Sequence, residues 1–222
     1  MKKIKKEMLD KKVFRYGQNP FEILLRGMNK NRIQERYIKE VIPKMKERFG
    51  YKNDLAVPKI LKVNVNSGIG KYLQEQKTIE EIEKDLALIT GQKAVFTRAK
   101  KAISSFKTRA GQPVGLKVTL RGRRMYDFID RLISLALPRA RDFRGLPSTT
   151  IDQKGNLNIG IREQIIFPEI SHEHVKTIFG LEISVTADAK NKEEGVELFK
   201  LLGFPIKDMV EKSKSKHRDA QN

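Results

Sequence analysis

Helical and strand-type periodicities alternate along the chain, so the sequence predicts a mixed α and β fold around a packed core. Three observations carry this. Several short runs place apolar residues at every second position between Gly or Pro, as half-buried strands require. Other segments carry apolar stripes spaced three and four residues apart, the mark of amphipathic helices. Residues 86–126 contain no Asp or Glu, yet apolar residues recur through them (Val95, Phe96, Val114, Leu116, Val118, Leu120), so this cationic stretch is also folded. With 222 residues and 39% hydrophobic content, the chain suits one domain with extensions, or two small ones.

Residues 1–31 are Lys-rich and weakly periodic, interrupted by Pro20 and Gly27. Such an arm either orders on nucleic acid or serves as a solubilising leader. A helix is predicted over about 34–49 from Ile38, Val41, Ile42, Met45 and Phe49, with Gly50 as its stop and a kink or break at Pro43. Residues 60–68 alternate as a strand, with Leu61, Val63 and Val65 on one face and Lys62, Asn64 and Asn66 on the other. A second helix is predicted from about Thr78, where Thr78, Ile79, Glu80 and Glu81 spell a capping box, to a C-cap at Gly91.

Strands are expected at 94–97 and 115–121, the latter with Leu116, Val118 and Leu120 inward and Lys117, Thr119 and Arg121 outward. Between them, 100–113 reads as a basic loop holding Lys100, Lys101, Lys107 and Arg109. A third helix over 125–136 is expected to close at Pro138, followed by a basic loop over 139–146. Strands follow at 157–161 and 181–186, then a helix over 192–202 stopped by Gly203 and Pro205, and a charged tail from 208 to 222.

Charge decides the function class. Forty-six Lys and Arg against 27 Asp and Glu give a net +19, which points to a polyanionic partner such as nucleic acid or an anionic membrane. Outward-facing amides, hydroxyls and cations at Asn66, Thr119, Lys117 and Arg121 suit phosphate and ribose. The absence of cysteine excludes disulfide scaffolds, zinc ribbons and thiol catalysis. No run of apolar residues is long enough to span a membrane, and the N-terminus lacks the apolar core of a secretory signal, so a soluble intracellular protein is expected.

Enzyme signatures fail one by one. Gly68-Ile69-Gly70 would need a third glycine at Leu73 to bind a dinucleotide. For a P-loop, Val65 and Tyr72 stand where Gly and Ser or Thr are required. His172, Glu173 and His174 follow Pro168 in an expected loop and read as surface residues rather than metal ligands. No nucleophile elbow is present. Neither a catalytic residue nor a cofactor nor a metal is expected.

Segments 62–70 (KVNVNSGIG), 90–93 (TGQK), 117–122 (KVTLRG), 137–145 (LPRARDFRG) and 162–169 (REQIIFPE) resemble the family of large-subunit ribosomal protein five, which binds 5S ribosomal RNA in the central protuberance. The resemblance spans about 38–205 in unbroken order, and 137–145 looks like the bacterial branch. It implies an α+β domain over 32–207 with an antiparallel sheet covered by helices on one side. The basic extension at 1–31 and the charged tail at 208–222 depart from the compact family pattern.

In the family, the residues matching Asn66, Gln92 and Thr119 hydrogen-bond 5S rRNA. The loop matching Lys100, Lys101, Lys107 and Arg109 reaches the tRNA in the peptidyl site. Another surface meets a small-subunit head protein in an intersubunit bridge. The resemblance further implies contacts with large-subunit rRNA and neighbouring large-subunit proteins, no membrane, and a place in the cytoplasmic ribosome. The alternative function is a free-standing RNA chaperone or regulatory RNA binder on the same fold.

Overall fold

A computed structural model describes residues 31–73, 75–106, 108–170 and 176–207. From Arg32 onward these belong to one compact unit. The basic extension, Lys107, the His172-Glu173-His174 run and the tail from 208 lie outside the described residues.

Five strands form one antiparallel sheet: β1 (Ile60–Gly68), β2 (Val95–Arg98), β3 (Pro113–Leu120), β5 (Leu157–Ile161) and β6 (Leu181–Ala187), in the order β2-β3-β1-β6-β5. A short parallel pair, β4 (Leu146–Pro147) with β7 (Ile206–Lys207), ties the basic loop to the end of the last helix. Strand alternation gives the sheet two unlike faces. On one, Val63, Val65, Leu116, Val118, Leu120, Leu157, Ile159, Ile183 and Val185 are buried.

The helices cover that apolar face. α1 runs Arg32–Arg36, widens into a π-helical turn at Tyr37–Val41 and continues over Ile42–Phe49. α2 spans Gln76–Thr90. α3 runs Gly122–Arg131, passes through a π-helical turn at Leu132–Ala136 and ends with Leu137–Arg139. α4 spans Lys192–Leu202. Ile82, Leu86 and Ile89 of α2, Met125, Phe128 and Ile129 of α3, and Leu198 and Phe199 of α4 join the strands in one core. Phe128 stacks on Phe167 with ring centroids 6.0 Å apart, and Phe199 meets Phe204 edge-on at 5.3 Å. Full burial of each such side chain contributes about 1.5–3 kcal/mol. The Tyr37 hydroxyl donates to the carbonyls of Val57 and Pro58, and burial pushes its ionisation well above the ordinary tyrosine range.

Four local expectations change. Pro43 and Pro138 neither break nor close their helices. In each case a π turn precedes the proline, and the N–H of Ile42 or Leu137 reaches back five residues to Tyr37 or Leu132. The widened turn absorbs the missing proline donor. The capping box is not formed: α2 starts at Gln76, and the Thr78 hydroxyl donates to the Glu75 carboxylate at 2.8 Å from inside the first turn. Leu61 is exposed, because a register shift between Ile60 and Lys62 turns Ile60 into the core instead. Leu61 therefore does not share a face with Val63 and Val65.

Gly195 lets α4 lie against the turn before β5. A Cβ there would come within 2.5 Å of the Gly155 Cα and 2.7 Å of its carbonyl oxygen. Gly155 is itself held at φ 74° by a hydrogen bond from its N–H to the Asp152 carbonyl. Since the obstacle is backbone, Gly195→Ala is expected to lose more to overpacking than it gains in helix propensity, a net of about 1–2 kcal/mol. Gly160→Ala, with open space around it, is the control and is expected to melt like the parent.

Candidate nucleic-acid interface

The uncovered face of the sheet is polar, and its residues stand in lines set by the strand register. One line crosses β5, β6, β1 and β3 as Asn158, Ser184, Asn64 and Thr119. The Ser184 hydroxyl donates to Asn158 Oδ1 at 2.8 Å, and the Thr119 hydroxyl donates to Asn64 Oδ1 at 2.9 Å. The neighbouring line runs Gly160, Glu182, Asn66, Lys117 and Val95. Asn66 thus sits between Glu182 and Lys117, while Thr119 and Lys117 lie two residues apart on one face of β3.

The structure therefore brings Asn66, Lys117 and Thr119 together as the sequence implied. It also adds Asn64, whose carbonyl oxygen accepts the Thr119 hydrogen bond. That bond fixes the Asn64 amide and leaves its Nδ2 group to donate elsewhere, while the Thr119 oxygen retains lone pairs for an incoming hydroxyl or amine. The strand alternation had placed Asn64 on this face. What it could not supply was the cross-strand partner.

Arg121 stands just beyond β3, exposed and extended at φ −141°, as the residue before α3. Gln92 is not on the sheet. It follows the left-handed C-cap Gly91 of α2, and its N–H donates at 3.3 Å to the Thr90 hydroxyl, whose single proton is shared between the Leu86 carbonyl at 2.7 Å and the Gln92 carbonyl at 3.0 Å. These bonds fix its backbone three residues before edge strand β2.

The cations of the acid-free stretch divide into paired and unpaired. Lys93 meets Glu83 at 3.6 Å and Arg123 meets Asp127 at 3.8 Å. Among the described residues, Lys100, Lys101, Arg109, Lys117, Arg121 and Arg124 make no ion pair. Glu182 is the carboxylate on these two lines, and it lies on the β6 side. The half-sheet of β1, β3 and β2 is consequently the cationic one.

The segment between β2 and β3 is a hairpin extension rather than a plain loop. Its base is closed by the Ala99 N–H to the Gln112 carbonyl and the Gly111 N–H to the Ala99 carbonyl, both 2.9 Å. The Arg98 guanidinium adds a bond to the Gly111 carbonyl at 3.1 Å, and the Arg109 N–H reaches Gln112 Oε1 at 3.0 Å. Lys100, Lys101 and Arg109 are exposed along it.

Residues 53–109 match the family described as Ribosomal protein L5, and residues 113–206 match the model of that ribosomal family's C-terminus. A Large ribosomal subunit protein uL5 from Chloroflexus aggregans is 51% identical over 177 residues, covering 80% of this chain and 98% of the relative. Proteins of the same name from Microcystis aeruginosa and Dictyoglomus turgidum are 51% and 50% identical, each covering 79% of this chain and 98% of the relative.

The chain belongs to the ribosomal protein L5 family. The three relatives named are bacterial, and family membership makes it a structural, non-catalytic protein of the large subunit of the cytoplasmic ribosome, bound among rRNA and ribosomal proteins. Among the described residues, no helix is long and apolar enough to cross a membrane, and no cluster of metal-ligand residues occurs.

Proposed function

We propose that the domain over 32–207 anchors 5S rRNA on the cationic half-sheet, with Asn66, Thr119, Lys117 and Arg121 as contacts and Gln92 as a further one beside β2. The observation that carries this is the register: it sets hydrogen-bonding amides and a hydroxyl beside cations that pair with no carboxylate among the described residues. Amides and hydroxyls read ribose and base edges, and the cations replace counterions on phosphates. Titrating the full-length chain with 5S rRNA and with other structured RNAs of equal length tests the reading. Equal affinity for all of them would sink it, and recovery of the protein away from large subunits at moderate salt would favour a free-standing RNA binder.

The hairpin extension is proposed to reach the peptidyl-site tRNA through Lys100, Lys101, Lys107 and Arg109, with a separate surface meeting the small-subunit head protein in an intersubunit bridge. The extension is closed at its base by its own hydrogen bonds, so changing its charges leaves the sheet intact. Replacing all four residues with Ser is expected to preserve the melting temperature and to change 5S rRNA affinity by only a few-fold. Retention of tRNA in the peptidyl site is expected to fall. Ribosomes that hold tRNA at the parent level with this variant would refute the assignment.

A further inference from the structure

The extension carries more than charge. At its tip, Ile103 and Thr108 exchange backbone hydrogen bonds at 3.0 and 3.1 Å. Between them a 3-10 turn, Ser104–Phe106, is pinned by the Thr108 hydroxyl bonding to the Phe106 carbonyl at 3.2 Å. The turn leaves Phe106 75% exposed, and Ile103, in the bridge itself, is 49% exposed. Covering the exposed ring with a partner would remove its apolar surface from water, which is favourable.

Phe106 is not surplus from the core. The buried face of the sheet is filled by other residues, and the base of the hairpin separates the tip from it.

The surroundings select the kind of cover. Lys100, Lys101 and Arg109 flank the tip, and no acidic residue occurs anywhere from 86 to 126. An apolar pocket on a protein would meet the ring equally well, but its partner would have to supply carboxylates for several cations. A folded RNA supplies phosphates for the cations and a π-face for the ring in one ligand. Aromatic rings beside cations are the common platform for an unpaired or terminally stacked base.

We infer that Phe106 stacks on an exposed nucleobase of the RNA that the hairpin extension reaches, so that the contact is part stacking and part electrostatic. The inference rests on the proposed approach of the extension to tRNA, and the experiment separates the two.

Ribosomes rebuilt with the full-length chain carrying Phe106→Ala, Phe106→Leu, Phe106→Tyr or the triple change Lys100→Ser, Lys101→Ser, Arg109→Ser are titrated with deacylated tRNA over a salt series. Loss of one base–aromatic stack is expected to weaken binding by about five- to a hundredfold in Phe106→Ala. Its salt slope is expected to match the parent. Phe106→Tyr is expected to bind like the parent and Phe106→Leu to remain weak. The triple variant is expected to flatten the salt slope.

If Phe106→Ala binds like the parent while the triple variant weakens, stacking is refuted and the approach to tRNA stands. Parent-like binding by both overturns both. Full recovery in Phe106→Leu shows that an apolar surface suffices and removes the base. A defect of Phe106→Ala in subunit joining without tRNA assigns the ring to a protein partner and likewise overturns the inference. Thermal melts of the free variants, expected to be unchanged for so exposed a side chain, guard against a folding artefact.

Discussion

Raising salt from about 50 to about 200 mM is expected to weaken 5S rRNA binding by roughly fifty- to a thousandfold. The estimate follows from counterion release, where each neutralised phosphate contributes about 0.7 to 0.9 to the log–log slope. A footprint of about four to six phosphates then gives a slope between roughly −3 and −5. The structure makes a steep response the natural outcome, because Lys117, Arg121 and Arg124 make no ion pair among the described residues. A cation already paired would release little, since its phosphate contact would have to displace a carboxylate. Lys117→Gln and Arg121→Gln are each expected to reduce the slope by about 0.7 to 0.9 and to weaken structured RNAs nearly uniformly. Arg123→Gln is expected to do less, since Asp127 lies 3.8 Å from its guanidinium. A slope near zero, or one that Lys117→Gln leaves unchanged, would place the RNA elsewhere.

The same contrast between what periodicity records and what it misses runs through the fold. Leu116, Val118 and Leu120 alternate with Lys117, Thr119 and Arg121, and the structure keeps that division because β3 is paired on both sides. Leu61 looked equally regular. It fails because a bulge is a property of a strand pair, and a single strand's sequence does not record its neighbour's register. Thr78 and Glu81 have capping-box spacing, but helix α2 begins two residues before Thr78. Pro43 and Pro138 signalled real irregularity, and the π turns that accommodate them depend on packing beyond the local sequence.

Gln164 shows the limit from the other side. Nothing in the apolar patterning singles it out, yet it is fully buried, donating to the Thr177 carbonyl at 2.7 Å and accepting from the Phe179 N–H at 2.9 Å. It satisfies backbone groups that approach β6 from a segment more than ten residues away. At the interface the division is similar. Asn66, Lys117 and Thr119 could be placed on one face by counting residues. The bond from Thr119 to Asn64, and the 3-10 turn that presents Phe106, arise from long-range pairing and hairpin closure.

That Thr119–Asn64 bond shapes the last expectation. Thr119→Val keeps the β-branched shape that suits a strand but removes the hydroxyl. In the free protein the loss is small, because Asn64 is only half-buried and water can replace the lost donor; the melting temperature is expected to stay near the parent's. In the proposed RNA complex two losses are expected together: the RNA group that would meet Thr119 loses its partner, and the Asn64 amide loses the bond that oriented it. A group left unpaired in a desolvated interface costs about 1–3 kcal/mol, or roughly five- to a hundredfold in 5S rRNA affinity. Asn64→Ala is expected to cost a similar amount.

The double variant separates a shared contact from two independent ones. If Thr119 acts largely by holding Asn64, Thr119→Val with Asn64→Ala is expected to bind little worse than either alone, a coupling of about 1 kcal/mol or more. Asn66→Ala lies in the next line of the sheet, between Glu182 and Lys117, and is expected to add to Thr119→Val nearly in full. Ser184→Ala removes the hydroxyl that bonds Asn158 on the β6 side and is expected to leave affinity within a few-fold. Affinities and melting curves for the single and double variants decide the matter. Parent-like binding by Thr119→Val, or a loss of affinity matched by an equal loss of stability, would remove this line of residues from the RNA contact.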